Sequence, residues 1–167
     1  MENEKIKGKC MKKIYIWRAL TILWMVVIFS FSAKTAEKSA AESGRVGILI
    51  CQMMVSDFEE KTKEEQILLA QQIDYPIRKC AHASEYAVLG VLLFLSLDGM
   101  KKKQLRGLLA WLGATLYAIT DEVHQFFVPG RACQLKDMCI DSVGALAGIL
   151  VLSLFFTFFH KCFDRTV

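Results

Sequence analysis

Four apolar runs, separated by charged segments, constrain this chain more than any other feature of its sequence. They cover residues 14–31, 87–97, 108–120 and 142–159. The composition agrees with them, because 54% of the residues are hydrophobic, a larger share than soluble globular domains usually contain. We therefore predict an all-α integral membrane protein in which four transmembrane helices form a bundle.

The first run also fits a cleaved signal peptide, in which an apolar stretch follows a basic start and precedes small residues. Ser32 and Ala33 supply such small residues. Arg18 within the run and the three later runs favour an uncleaved membrane helix instead. We interpret the run as the first span.

The distribution of basic residues predicts the orientation of the bundle. They cluster in residues 1–13, 98–106 and 160–167, which all lie on one side if the chain crosses four times. Because basic residues collect on the cytoplasmic side of membrane proteins, we expect a multi-pass protein with both termini in the cytoplasm. This clustering also argues against nucleic acid as a partner, despite a net charge of +4.

We interpret residues 1–167 as a single domain, with spans at about 14–32, 78–98, 105–127 and 138–160. The long connection 33–77 has five basic and eight acidic residues, a net charge of −3, and we place it on the extracytoplasmic side. Its segments 35–54 and 59–73 have helical patterns, which predict short interfacial helices. Pro76 is compatible with a break or a helix start before the second span. Pro129 and Gly130 predict a turn.

Two predicted spans need polar residues to reach across the membrane. A helix rises about 1.5 Å per residue and the hydrocarbon core is about 30 Å thick, so the run 87–97 covers roughly half of it. The second span must therefore include residues 78–86, and the third must include residues 121–127. The fourth span adjoins the polar segment 136–141. In the predicted topology all three polar segments lie at the extracytoplasmic level.

Helical spacing places polar side chains of each segment on one face. Lipid does not tolerate such faces, so we predict that they converge on a cavity that is open to the outside and rimmed by Arg131. Gly144 and Gly148 form a GxxxG pattern, which permits close approach of another helix. The polar residues are Arg78, Lys79, His82, Glu85 and Tyr86 on the second span, Tyr117, Asp121, Glu122, His124 and Gln125 on the third, and Asp137 and Asp141 on the fourth.

Three interpretations of these residues stay open. In the first, charge pairs only hold the helices together: Arg78 or Lys79 with Asp121 or Glu122, and Arg131 with Asp137. In the second, the faces form a pocket for an amphiphilic ligand, whose phosphate or carboxylate group the basic residues would bind. This second interpretation assigns ligand binding to Arg131 and to all the polar residues named above except Tyr117.

In the third interpretation the chain is a hydrolase or transferase that acts on a lipid-linked envelope substrate. Its acid and base groups, or its ligands for a metal ion, would come from His82, Glu85, Asp121, Glu122 and His124. The sequence has no HExxH, GxSxG or P-loop motif, and no cysteine spacing indicates a zinc site. We therefore predict no cofactor and assign no metal ligand, although the sequence leaves a metal ion open.

The polar segments also resemble the VanZ-like family of membrane proteins. RKCAHASEYAVLG and DEVHQFFVPGRACQLKDMCIDSVGALAG contain the patterns K-x-x-H-x-x-E-Y, D-E-x-H-Q-x-F-x-P-G-R and D-x-x-x-[N/D]-x-x-G. FSAKTAEKSAAESGRV is similar to the segment that follows the first helix in many members. Two positions depart from the pattern: Asp141 is often asparagine, and Ala83-Ser84 stands where an aromatic residue commonly follows the histidine.

The resemblance implies a bacterial cytoplasmic (inner) membrane protein of the cell envelope. Family members are linked to low-level resistance to teicoplanin, a glycopeptide with a fatty tail. The partners implied are membrane lipids and either an amphiphilic envelope precursor or a lipoglycopeptide, and no oligomeric state is predicted. The polar residues that occupy motif positions are Lys79, His82, Glu85, Tyr86, Asp121, Glu122, His124, Gln125, Arg131, Asp137 and Asp141.

Overall fold

A computed structural model describes the backbone of residues 2–163 and the side chains of residues 11–158. Within that range the chain forms five helices and no strand, which confirms the all-α prediction. The basic side chains of residues 1–10 and 160–167, on which the predicted orientation partly rests, lie outside the described side chains. The helices are α1 (Glu2–Ser32), α2 (Ala36–Met54), α3 (Lys63–Ser96), α4 (Lys103–Gln125) and α5 (Leu135–Phe163).

Helix α3 lies at the centre of the fold, because it packs against α1, α2, α4 and α5. Its core contacts include Tyr86 and Leu89, which pack with Ile28 of α1, Ala118 of α4 and Ala145 of α5. Helices α3 and α5 run parallel, and α4 runs antiparallel to both. The polar residues 78–86 of α3 are thereby brought beside the end of α4 and the start of α5.

The segment 33–77 forms a helical hairpin rather than two separate short helices. Helix α2 packs antiparallel on the first half of α3, where a Cβ atom on Gly47 would lie 3.0 Å from the carbonyl oxygen of Ala70. The second predicted segment is the start of α3, and Thr62 and Glu65 form a capping box at its N-terminus.

Pro76 lies inside α3, so the prediction of a helix break or a helix start at this residue is wrong. A proline in a helix removes the hydrogen bond to the carbonyl group four residues earlier. That group belongs to Gln72, and both residues are exposed, where water can satisfy the carbonyl oxygen. Packing of α2 on the same stretch of α3 supports the continuous helix.

The connection between α4 and α5 contains the predicted turn. Gly130 has φ +75°, the left-handed region that favours glycine. The Arg131 amide donates to the Val128 carbonyl at 3.1 Å, and the Ala36 amide donates to the Pro129 carbonyl at 3.3 Å. The turn is therefore held against the start of α2.

The GxxxG pattern of α5 permits the predicted close approach of another helix, and that helix is α3. A Cβ atom on Gly144 would overlap the carbonyl oxygen of Ala83, and one on Gly148 would overlap that of Ala87. In return, a Cβ atom on Gly90 of α3 would lie 2.5 Å from the carbonyl oxygen of Ala145. The two helices thus meet backbone to backbone, which fixes α5 beside the polar residues of α3.

Two helices are long and apolar enough to cross a membrane: Met11–Ser32 in α1 and Leu135–Phe158 in α5. Only 11% and 22% of their residues are buried in the protein, so both present apolar faces to their surroundings, unlike the core helix of a soluble domain. Helices α3 and α4 do not meet the same criterion over their described residues. The polar residues of 78–86 and 121–125 lower their hydropathy.

Candidate functional site

The three polar segments come together at one end of the bundle, which we call the polar end. There α1 ends at Ser32, α4 ends at Gln125 and α5 begins at Leu135, while residues 78–86 of α3 pass between them. The hairpin of α2 and α3 extends from the same end. The convergence predicted from helical spacing is thus present in the arrangement of the helices.

Arg131, in the connection between α4 and α5, is held at the polar end by two hydrogen bonds. Its Nε donates to the carbonyl oxygen of Lys34 at 2.9 Å, and its Nη1 donates to Oε1 of Gln125 at 2.9 Å. Both acceptors are uncharged. No carboxylate of the described residues forms a salt bridge with Arg131, and partial burial lowers the pKa of its guanidinium below the ordinary value.

Three other basic residues of the polar end, which also line a cavity, have acidic partners. Lys79 Nζ lies 2.5 Å from Asp137 Oδ1, Arg78 Nη2 lies 2.8 Å from Asp74 Oδ2, and Lys34 Nζ lies 2.7 Å from Glu42 Oε2. The pairs expected for a polar lock, namely Arg78 or Lys79 with Asp121 or Glu122 and Arg131 with Asp137, are therefore wrong. Helical spacing identifies the face that a side chain shares, but not how far each helix is rotated towards its neighbours.

Three acidic side chains near the polar end are buried inside the bundle. Asp121, Glu122 and Asp141 are 2%, 1% and 0% exposed, which places them inside the packed helices. Asp121 Oδ2 accepts hydrogen bonds from Ser32 Oγ at 2.7 Å and Gln125 Nε2 at 3.1 Å. Glu122 Oε2 accepts one from the backbone amide of Gln134 at 2.9 Å.

Several polar atoms of this cluster have no hydrogen-bond partner among the described residues. They are Oδ1 of Asp121, Oε1 of Glu122, both carboxyl oxygens of Asp141 and the hydroxyl of Tyr86. Nδ1 of His82 and Nε2 of His124 also have no hydrogen-bond partner among the described residues. Because buried polar groups are normally hydrogen-bonded, the interior of the polar end departs from ordinary helix packing.

Two adjoining cavities lie at the polar end. The first, cavity 1, has a volume of about 200 Å³ and lies between the end of α1, α2 and α3. The second, cavity 2, has a volume of about 280 Å³ and lies between α3, the start of α2 and the connection from α4 to α5. Four residues line both cavities: Ser39, Arg78, His82 and Arg131.

The predicted binding residues divide into those that line a cavity and those that do not. Arg78, Lys79, His82, Glu85, Gln125, Arg131 and Asp137 line cavity 1, cavity 2 or both. Tyr86, Asp121, Glu122 and Asp141 are buried in the bundle instead. His124 faces α1, where its ring stacks on Phe29 with centroids 4.3 Å apart.

The candidate catalytic residues divide in the same way. His82 and Glu85 line cavity 1, and Nδ1 of His82 lies 4.0 Å from Oε2 of Glu85. This pair can exchange a proton with a molecule in the cavity. Among the described residues, no three histidine, cysteine, aspartate or glutamate side chains are grouped so that they can hold a metal ion.

Sequence reasoning missed several residues of the polar end. Ser32 and Lys34 at the end of α1 bind Asp121 and Arg131, and Ser43 of α2 donates a short hydrogen bond to Asp74. Gln134 binds Glu122 through its backbone, which no side-chain pattern reveals. The segment 31–46 carried the available signal for the first three, because it resembles the segment after the first helix in related chains.

A family model described as VanZ/LLP1 matches residues 17–156. The match covers well over half of the chain and includes every residue of the polar end. The chain belongs to the VanZ/LLP1 family. No curated protein and no solved structure matches it.

Membership of the VanZ/LLP1 family and the two exposed apolar helices together indicate a membrane protein. The suspected family resemblance is confirmed. In this VanZ/LLP1 chain the motif residues form one constellation, in which ion pairs and buried acids join the helices and a smaller group of side chains faces two cavities.

Proposed function

We propose that α1, α3, α4 and α5 all cross the membrane and that the polar end faces outward. The hairpin of α2 and α3 would then project on the extracytoplasmic side, with both termini in the cytoplasm. Three features support this topology. The polar residues of α3 and α4 turn inward, Lys101–Lys103 lie at the opposite end of the bundle, and basic residues favour the cytoplasmic side.

Within this topology the two cavities form an outward-facing charged pocket that binds an amphiphilic molecule of the cell envelope. Arg131 is the observation that carries the proposal. Its partly buried guanidinium lines both cavities and makes hydrogen bonds only to uncharged acceptors among the described residues, whereas Lys34, Arg78 and Lys79 have acidic partners. An unpaired guanidinium in a concave site is suited to a phosphate or a carboxylate.

The ligand is either a lipid-linked envelope precursor or a lipidated glycopeptide. Membership of the VanZ/LLP1 family supports the second, because family members are linked to low-level teicoplanin resistance. Exposed apolar surface beside the pocket supports both. Phe31 and Val46 are 43% and 45% exposed and line cavity 1.

The proposal is tested by expressing the chain in a teicoplanin-susceptible bacterium and measuring the inhibitory concentration of the antibiotic. We expect Arg131→Gln to abolish most of any protection that the unchanged chain gives. Arg45→Gln is the matched control, because Arg45 lies on α2 beside a separate cavity. Protection that survives Arg131→Gln at an equal membrane level would contradict the proposal.

A second candidate function is acid and base catalysis by His82 and Glu85 on a lipid-linked substrate. The position of both side chains on cavity 1, 4.0 Å apart, favours it. Comparison of envelope lipids from cells with the unchanged chain and with His82→Ala tests it. A catalyst changes the lipid inventory and His82→Ala reverses the change, whereas an identical inventory contradicts catalysis.

The polar residues also include interhelical locks, namely Lys79 with Asp137 and Ser32 with Asp121. If these residues only held the helices together, substitutions of the residues that line the cavities would leave protection unchanged. If His82→Ala leaves the protein folded and removes protection, bracing alone does not explain the site.

A further inference from the structure

The wall shared by the two cavities restricts the chemistry of the ligand. Arg78, His82 and Arg131 line both cavities, and Ser39 adds a hydroxyl group. Arg78 is already paired with Asp74, so the unpaired charge of this wall is that of Arg131. A single anionic group at the wall can therefore bind Arg131 and have substituents that extend into both cavities.

Cavity 1 is mostly apolar beyond the shared wall, although Ser43 and Glu85 also line it. Phe31, Val46, Ile77 and Ala81 line it together with the polar groups of Lys34 and Glu42, which pair with each other. Because Phe31 and Val46 are exposed, the cavity opens at the end of α1, beside the apolar surface of that helix. A hydrocarbon chain in cavity 1 can continue along this surface into lipid.

Cavity 2 is polar beyond the shared wall and has little net charge. Lys79 and Asp137 neutralise each other there. The side chains of Gln125, Gln134 and Tyr75 complete a lining rich in hydrogen-bond donors and acceptors. Such a lining suits an uncharged group with many hydroxyls.

The combination of an anion-binding wall with two different cavities favours a phosphodiester linkage. A carboxylate that is bonded on both sides becomes a neutral ester, whereas a phosphodiester joins two substituents and keeps one negative charge. Building on the function proposed above, we propose that the pocket binds a phosphodiester-linked amphiphile. Its hydrocarbon chain would lie in cavity 1, its phosphate against Arg131 at the shared wall, and its hydroxyl-rich head group in cavity 2.

Three soluble probes with the same alkyl chain test this assignment: octyl glucosyl phosphate, octyl phosphate and octyl glucoside. Binding is measured by calorimetry on the purified full chain in a polyoxyethylene detergent, which contains neither sugar nor phosphate. We expect octyl glucosyl phosphate to bind at least about tenfold more tightly than either other probe. Equal or tighter binding of octyl phosphate or of octyl glucoside would overturn the assignment.

Variants locate the binding. Arg131→Gln should weaken binding of octyl glucosyl phosphate about tenfold and remove its advantage over octyl glucoside, while Arg45→Gln should change neither. Val46→Asp, at an exposed position on cavity 1, should weaken binding of the octyl chain without unfolding the protein. Ile48→Asp is its control, because Ile48 lines the separate cavity on α2. Unchanged affinity in Arg131→Gln or Val46→Asp would overturn the assignment.

The binding experiment and the resistance experiment distinguish a wrong phosphodiester assignment from a wrong proposed function. If the phosphodiester probe does not bind but Arg131→Gln abolishes teicoplanin protection, only the phosphodiester assignment is wrong. If the probe does not bind and Arg131→Gln retains protection, both the assignment and the proposed function are wrong.

Discussion

The hydroxyl of Ser32 donates a 2.7 Å hydrogen bond to Oδ2 of Asp121 and so joins the end of α1 to the buried face of α4. Asp121 is 2% exposed, so its carboxyl group has little access to water. Gln125 provides the other described hydrogen bond to the same oxygen. Ser32 therefore links the end of α1 to a buried acid of α4.

Replacement of Ser32 by alanine should lower the free energy of unfolding by about 1–3 kcal/mol, because it leaves a buried acceptor without one of its donors. Ser30→Ala is the matched control. Ser30 is exposed and bonds only the carbonyl of Val26 within its own helix. Thermal unfolding in detergent measures both variants, and equal melting temperatures would show that the contact adds no stability.

The salt bridge between Lys79 and Asp137 should couple α3 to α5. Their side chains are only 18% and 13% exposed, so solvent screens the pair less than a surface pair. In a double-mutant cycle with Lys79→Met and Asp137→Asn we expect a coupling energy of about 0.5–3 kcal/mol. Strictly additive losses in melting experiments would contradict the coupling.

The close approach of α3 and α5 predicts a strong effect of small added side chains. Gly148→Ala places a Cβ atom against the Ala87 carbonyl oxygen, so the helices must separate, and we expect a loss of about 1–3 kcal/mol. Gly44→Ala is the control, since a Cβ atom there meets nothing within 4 Å. It should be neutral or stabilise by up to about 1 kcal/mol.

The capping box at the start of α3 should make the hairpin sensitive to acid. Hydrogen bonds from the backbone and side chain of Thr62 lower the pKa of Glu65 below 4.5. A lowered folded-state pKa contributes stability above pH 4.5, and this contribution is lost as the pH falls through the folded-state pKa. Hydrogen exchange of residues 55–77, measured relative to the intrinsic rate at each pH, should therefore become less protected in that window.

Glu65→Gln keeps a side chain that can complete the capping box but removes the titration, so its protection against exchange should vary less below pH 4.5. Glu64→Gln removes the same charge one residue earlier and should retain the response of the unchanged chain. An identical pH profile for Glu65→Gln and the unchanged chain would show that another group titrates.

The all-α fold and the convergence of polar residues at one end could be predicted because they follow from apolar run length and helical period. The pairing of charges could not, because it depends on rotation between helices. Lys79 reaches Asp137 rather than the acids of α4, and Arg131 reaches Gln125. Ser32 has no charge, so the family resemblance of its segment was the only signal for it.

The continuity of α3 through Pro76 could not be predicted from the local sequence either, since a proline usually indicates a helix boundary. Its neighbours decide the outcome: α2 covers one side of the helix near Asp74, where Ser43 bonds its carboxyl group. Packing against α2 thus outweighs the tendency of proline to break an isolated helix.

A helix of 34 residues is about 51 Å long, whereas the hydrocarbon core of a bilayer is about 30 Å thick. Helix α3 runs without a break from the hairpin into the bundle. A force applied to the hairpin is therefore expected to reach Arg78 and His82, on the shared wall of both cavities, through one unbroken helix.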